Sequence, residues 1–365
     1  MNAPSKDEIS AVLNAIRDPA SGRGLVESGI VQGLVIRDGK AGFMLEVAPG
    51  QARAYEPVRA RAEAAVKAMR GIAAVTAVLT AHDGPPPAAP RPEPQRAAPQ
   101  GIPGIKHIIA VASGKGGVGK STVAVNLALA LAALGKRVGL MDADIYGPSV
   151  PHLLKLHDKP RVLADKRLEP MSAYGLKAMS IGLLIDPASA AVWRGPVATG
   201  ALNQLLTQVA WDDLDILLID MPPGTGDIHI SLTQRVALAG AVIVSTPQDV
   251  ALLDARKGIA MFNKVAVPVL GIVENMSTHI CSNCGHEEHI FGHGGARRTA
   301  EELGVPFLGE LPLHLAIRVG ADEGNPVVAV APDSAQARPF LEIAAGVLER
   351  LDQGAAKPPP RIVFV

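Results

Sequence analysis

Residues 113–122 read Ser113-Gly114-Lys115-Gly116-Gly117-Val118-Gly119-Lys120-Ser121-Thr122, and the fold is read outward from them. Gly114, Gly119, Lys120 and Ser121 match the spacing G-x-x-x-x-G-K-S/T, in which glycines let backbone N–H groups close around phosphate oxygens. Lys120 would neutralise the β/γ-phosphates and the Ser121 hydroxyl would ligate Mg²⁺, so the stretch reads as a nucleoside triphosphate site. Its flanks agree. Residues 107–112 are a short apolar run suited to a buried parallel strand, and residues 123–134 are an uninterrupted helix former ended by Gly135. Strand, glycine loop and helix together aim a helix N-terminus at an anion.

Beyond the loop, apolar runs of strand length recur at 137–141, 176–181, 216–220, 241–246, 269–274 and 307–311. Helical stretches such as 197–209, 251–265 and 297–303 separate them. This alternation predicts an α/β fold, a doubly wound, mostly parallel sheet with ligands at the carboxyl ends of its strands. The 365 residues are long enough for two domains. Residues 83–104, rich in proline and alanine, form the expected linker between a small α+β unit (1–82) and the NTPase domain (105–352), with a flexible tail at 353–365. The small unit is predicted as helix 6–17, strands 30–36 and 41–47, helix 56–69 and strand 75–80.

Lysine plus arginine equals aspartate plus glutamate at 35 each, so no bulk positive charge points to a nucleic acid or an anionic membrane. No secretion signal and no run of the ~18 apolar residues that a span requires is evident. A cytoplasmic location with no membrane partner is expected. Two cysteines three positions apart, Cys281 and Cys284, are no disulfide framework and suit a metal or redox pair in a reducing compartment.

The residues alone leave three readings of that pair open. A dithiol switch usually places its first cysteine at a helix N-terminus, whereas this pair lies among Gly285, Gly292, Gly294 and Gly295. A zinc knuckle could recruit His286 or His289. A cubane cluster usually takes four thiolates, which a twofold dimer would supply from two per chain. Asp142, Asp144 and Asp220 each fall where an apolar strand gives way to a loop, positions from which they could point at the phosphates or merely cap a helix.

Lys115, followed by Gly-Gly-Val-Gly-Lys120, resembles the deviant phosphate loop of the MinD/ParA superfamily of ATPases. The resemblance implies a lysine that reaches across a homodimer to the partner's nucleotide. Residues 114–122, 142–149, Trp193-Arg-Gly-Pro196, 220–227, 274–277 and the C-x-x-C step together resemble the Mrp/ApbC branch, iron-sulfur cluster carrier ATPases, over about residues 101–331. That resemblance implies ATP as the nucleotide and slow turnover. It implies that Asp144 positions the attacking water, Asp220 holds Mg²⁺ through water, and Gly224 and Gly226 let their loop move with the γ-phosphate. It makes Asn275 the adenine reader and Leu311-Pro312 a segment packed on the base. It further implies a homodimer whose paired Cys281 and Cys284 share a labile 4Fe-4S cluster, with cluster scaffolds and apo iron-sulfur proteins as partners.

The stretch Asp18-Pro19 with Leu25-Val26-Glu27-Ser28-Gly29-Ile30-Val31 resembles the small domain of iron-sulfur assembly factors. Members often carry a cysteine after a Pro-Gly step, but Pro49-Gly50 is followed here by Gln51, so the unit reads as a docking or accessory module. A spatial organiser of the MinD or ParA type is the alternative within ATPases, although residues 357–365 offer no amphipathic helix. A zinc-binding, ATP-dependent scaffold is the alternative from another class. Nitrogenase-type iron proteins rank behind both, because their ligating cysteines lie far apart in sequence.

Overall fold

The structure is a computed structural model that describes residues 4–37, 39–47, 50–81, 99, 101–185, 195–281 and 283–355. The chain separates into two units, Met1–Gln95 and Arg96–Val365. Most of the expected linker, the start of the Trp193-Arg-Gly-Pro196 motif and the last ten residues of the tail lie outside the described residues.

In the first unit, Ser5 starts α1 (Lys6–Asn14) with a reciprocal capping box to Glu8. β1 (Val31–Arg37) and β2 (Lys40–Val47) then form an antiparallel hairpin, and α2 (Ala52–Lys67) crosses over to β3 (Ala74–Ala81), parallel to β2. Ala41, Phe43, Leu45 and Val47 alternate inward along β2 and share one core with Ile9, Leu13, Tyr55, Val58 and Val66. Two helix boundaries differ from expectation. α1 stops at Asn14 because the chain turns back, the Leu25 N–H donating to the Ile16 carbonyl. α2 begins at Ala52, ahead of Pro57, because buried Tyr55 and Val58 outweigh the one backbone bond that an interior proline removes.

The second unit begins with β4 (Ile105–Ala112), α3 (Lys120–Ala133), β5 (Val138–Asp142) and α4 (Val150–Leu153). β6 (Met171–Ala173), β7 (Leu176–Ser180), α5 (Gly195–Thr207), β8 (Leu214–Asp220) and α6 (Asp227–Arg235) follow. The remainder is β9 (Gly240–Ser245), α7 (Asp249–Lys264), β10 (Val269–Ile280), β11 (Glu287–Glu288), α8 (Gly295–Leu303), β12 (Phe307–Leu313), α9 (Leu315–Asp322), α10 (Val327–Val330) and α11 (Arg338–Ala355).

Nine strands form one sheet in the order β11-β10-β9-β4-β8-β5-β7-β6, with β12 also paired to β10. Only β6 and β11 run antiparallel to their neighbours. The chain leaves β4 towards β5 on one side and reaches β9 on the other, so the crevice beyond β4, β8 and β9 is a topological switch point. α3 is apolar all round and buried from Val123 to Leu131, as a helix covered on every side must be. No helix among the described residues is long and apolar enough to cross a membrane.

In this second unit elements fall close to their expected bounds with one exception. β10 does not stop at Glu274. It continues through Asn275 to Ile280, because β12 pairs at Asn275 and His279 and β11 at His279 and Ile280, a ladder that this polar stretch does not advertise. Asn275 is therefore inside a strand rather than after one, and Leu311 is a fully buried residue of β12.

Candidate nucleotide site and cysteine hairpin

The phosphate loop joins β4 to α3. Gly117 and Gly119 hold φ of +82° and +80°, the left-handed region that side chains resist. Gly114 is required for a different reason: a Cβ there would stand 2.2 Å from the backbone carbon of Asp254 on α7. Lys115, Gly116, Gly117, Lys120, Ser121 and Asp144 border one cavity of about 250 Å³ at the carboxyl ends of the strands. Val118 is buried beneath the loop, and Thr122 contributes its carbonyl to the Asn126 side-chain amide at 2.9 Å.

Register brings the acidic residues together. Asp142 and Asp220 are paired positions at the ends of β5 and β8, and Val111 pairs with Asp220 from the other side. The Lys120 ammonium donates to Asp220 Oδ1 at 2.5 Å and to Ser121 Oγ at 3.2 Å. Asp220 is fully buried and its Oδ2 has no partner among the described residues. Burial raises its pKa against the opposing pull of Lys120. Asp142 accepts from the backbone N–H groups of Asp144, Ser149 and Val150 and from the Ser180 hydroxyl. Burial, then the like charge of Asp220, pushes it up to about 7. Asp144 is half-buried, accepts from the Gly147 N–H at 3.3 Å, and is raised by burial.

These groups fit a magnesium nucleotide. The glycine loop supplies backbone donors for phosphate, and an unpartnered carboxylate oxygen beside a hydroxyl is the oxygen donor set that Mg²⁺ takes. Lys115 lines the same cavity, and among the described residues no ion pair or hydrogen bond engages its ammonium. The loop after β8 walls the crevice, with the Gly224 N–H donating to the Ser113 carbonyl at 3.0 Å.

Asn275 does not line the cavity. Its amide donates to the Val118 carbonyl at 2.8 Å, bracing the phosphate loop from beneath. Sequence reasoning also missed His229, a single histidine in the first turn of α6 with no surrounding pattern to mark it. It missed as well the tie formed by Glu274, whose two carboxylate oxygens accept from the Gly294 and Ala296 N–H groups. Glu274 lies with His293 and Glu310, but Glu310 is already paired to His293 and Arg297, so the trio reads as architecture.

The cysteines lie away from the phosphates, at the end of β10. Cys281 opens a tight turn: its N–H donates to the His286 carbonyl at 2.9 Å, and the Gly285 N–H donates back to the Cys281 carbonyl at 2.8 Å. Gly285, at φ +72°, makes that return possible. The backbone N–H groups of Asn283 and then Cys284 point at the Cys281 sulfur and lower its pKa, favouring the thiolate that binds soft metals. Cys281 is half-buried and Cys284 exposed.

A phosphate loop, paired acidic strand ends and a thiolate turn on one sheet now have a counterpart among known proteins, since the profile of the NUBPL iron-transfer P-loop NTPase (ParA) family matches residues 104–348. The chain belongs to this family. The profile of iron-sulfur cluster assembly proteins matches residues 6–79, the first unit. Among relatives, an iron-sulfur cluster carrier protein of Haemophilus influenzae is 56% identical over 264 residues, 72% of this chain and 71% of that protein. The iron-sulfur cluster transfer protein NUBPL of Mus musculus is 52% identical over 252 residues, 68% of this chain and 79% of that one. A nucleotide-binding protein of Archaeoglobus fulgidus, solved with ADP, matches with a TM-score of 0.54 at 42% identity, covering 60% of this chain and 87% of its own. The cell division ATPase MinD of Pyrococcus furiosus matches at 0.51 and 23% identity, covering 67% of this chain and 98% of its own, which speaks for the fold alone. The NUBPL-type assignment agrees with the branch expected from the motifs, and its doubly wound sheet with the expected fold class.

Proposed function

We propose that this chain is a slow, Mg²⁺-dependent ATPase that carries a labile iron-sulfur cluster as a homodimer and delivers it to apo iron-sulfur proteins. The observation that carries the reading is a thiolate-favouring C-x-x-C turn built on the strand whose Asn275 braces the phosphate loop. The carrier and transfer proteins named above support it. In this reading the loop from Gly114 to Gly119 cradles phosphate, Lys120 leaves Asp220 for the β/γ-phosphates, and Ser121 and Asp220 hold the Mg²⁺. The metal supplies charge neutralisation for phosphoryl transfer. Asp144 orients water, and Lys115 serves the partner subunit's nucleotide. Asn275, whose amide braces the loop, is also read as the adenine contact. Cys281 and Cys284 of two copies supply the four sulfurs of a 4Fe-4S cluster. A reducing cytoplasm suits such thiols, and the first unit acts as a docking module for scaffold or recipient proteins.

The test is anaerobic reconstitution followed by iron and sulfide analysis, visible spectroscopy, sedimentation and ATP turnover. Iron and sulfide in equal amounts on a dimer are expected, and Cys284→Ala should lose them while nucleotide affinity stays near wild type. Zinc without sulfide would favour a metal scaffold, and a strictly monomeric loaded form would end the reading.

A further inference from the structure

Two buried side-chain atoms lack a hydrogen-bond partner among the described residues, Asp220 Oδ2 and His229 Nε2. Both belong to residues around Lys120. The ammonium is bonded to the other oxygen of Asp220, and its charge is felt at the His229 ring. Orphaned buried polar atoms are uncommon, and two about one cation ask for a common explanation.

His229 is the third residue of α6, behind the loop whose Pro223 lines the phosphate cavity. His229 is 1% exposed, and its backbone N–H donates to the Gly226 carbonyl at 3.0 Å. The Pro222 carbonyl takes the ring's one hydrogen bond, which puts the proton on Nδ1 and leaves a lone pair on Nε2. Burial first, and then Lys120, hold the ring neutral, with its pKa lowered to about 4. Nε2 and Asp220 Oδ2 are both acceptors, so each calls for a donor that the described residues do not supply. A species with two hydrogens satisfies both, and water polarised by a divalent cation is the strongest such donor in a phosphate site.

We propose that His229 is a positioning residue of the nucleotide site: its Nε2 accepts a hydrogen bond from a water in the coordination shell of the nucleotide's Mg²⁺, alongside Asp220 Oδ2. The role rests on the Mg²⁺-ATP reading above and adds a residue that the motifs do not contain. It gives the second nitrogen of this buried ring a partner.

The test is titration of the full chain with a fluorescent ATP analogue, in Mg²⁺ and in EDTA, with thermal unfolding measured without nucleotide. His229→Leu should weaken binding about tenfold in Mg²⁺ and less than about twofold in EDTA, the loss of one hydrogen bond to a polarised donor. Its unfolding midpoint should stay close to that of wild type, since the variant removes the unsatisfied Nε2 but leaves the Pro222 carbonyl without its donor. His229→Gln, whose amide oxygen can stand near Nε2, should recover the Mg²⁺ dependence. His229→Asn, which keeps only a donor towards Pro222, should not. Equal losses in Mg²⁺ and EDTA, or a Gln and an Asn variant that behave alike, would overturn the proposal even where the Leu variant fails to fold. A wild-type chain that binds no nucleotide would remove the function reading with it, whereas a defect-free Leu variant removes only the role of His229.

Discussion

Asp18 of the first unit, and Asp142 with Asp220 of the second, are buried carboxylates held in opposite ways. Asp18, in the first unit, is 3% exposed and receives the Ala20 and Ser21 N–H groups and the Ser21 and Tyr55 hydroxyls. Burial pushes its pKa up, but the bonds from Ser21, Tyr55 and Ala20 outweigh burial and bring it to about 2. Asp142 and Asp220, in the second unit, stand side by side with one cation between two charges and one oxygen unpartnered, and both are raised. A buried charge with every lone pair answered holds a fold together. One left short is arranged for something that arrives later.

The sharpest way to break this contrast is Lys120→Ala. Turnover of ATP should fall by about 10²-fold or more, because the cation that would follow charge onto the phosphates is gone. Asp18→Ala should act on the other side of the comparison, costing the first unit about 3 kcal/mol by leaving a buried tyrosine hydroxyl and two amides unpaired. Chemical denaturation should record that loss while nucleotide affinity stays unchanged; a parallel fall in affinity would mean that the units do not act separately.

The pH dependence should also have opposite signs. Asp18 has a folded value below its ordinary 3.8, so its stabilisation is present above about 4 and is lost as pH falls through about 2. Asp142 is displaced upward, so its contribution is full below 3.8 and is lost as pH rises through about 7. Unfolding midpoints between pH 4 and 8 should therefore lose part of their slope in Asp142→Asn. The smallest effect belongs to a surface network: Arg59→Ala, which removes pairs to Glu56 and Glu63 and a bond to the Ala77 carbonyl, should leave the unfolding midpoint close to that of wild type.

What the sequence disclosed followed from how local each signal is. The phosphate loop, the apolar strands and the strand-end aspartates are contiguous patterns, and the sheet assembled from them as read. β10 was truncated at Glu274 because Asn275-Met-Ser-Thr-His279 has no apolar periodicity; its strand character comes from partners outside it, β11 and the sequence-distant β12. The early start of α2 was hidden by Pro57, which looks like a first-turn residue. His229 was invisible because burial and the want of a partner are properties of three-dimensional surroundings, not of spacing.

Gly119 illustrates how far such surroundings reach. A methyl group added there would stand 2.3 Å from the Asn275 amide nitrogen, dislodging the brace and, with it, the strand that runs up to the cysteine turn. Interference of this kind is reciprocal: a bulkier residue at 275 would press back on the loop. The two positions can therefore change only in concert, and the chemistry of a sulfur-bearing turn and the shape of an anion cradle inherit each other's mutations.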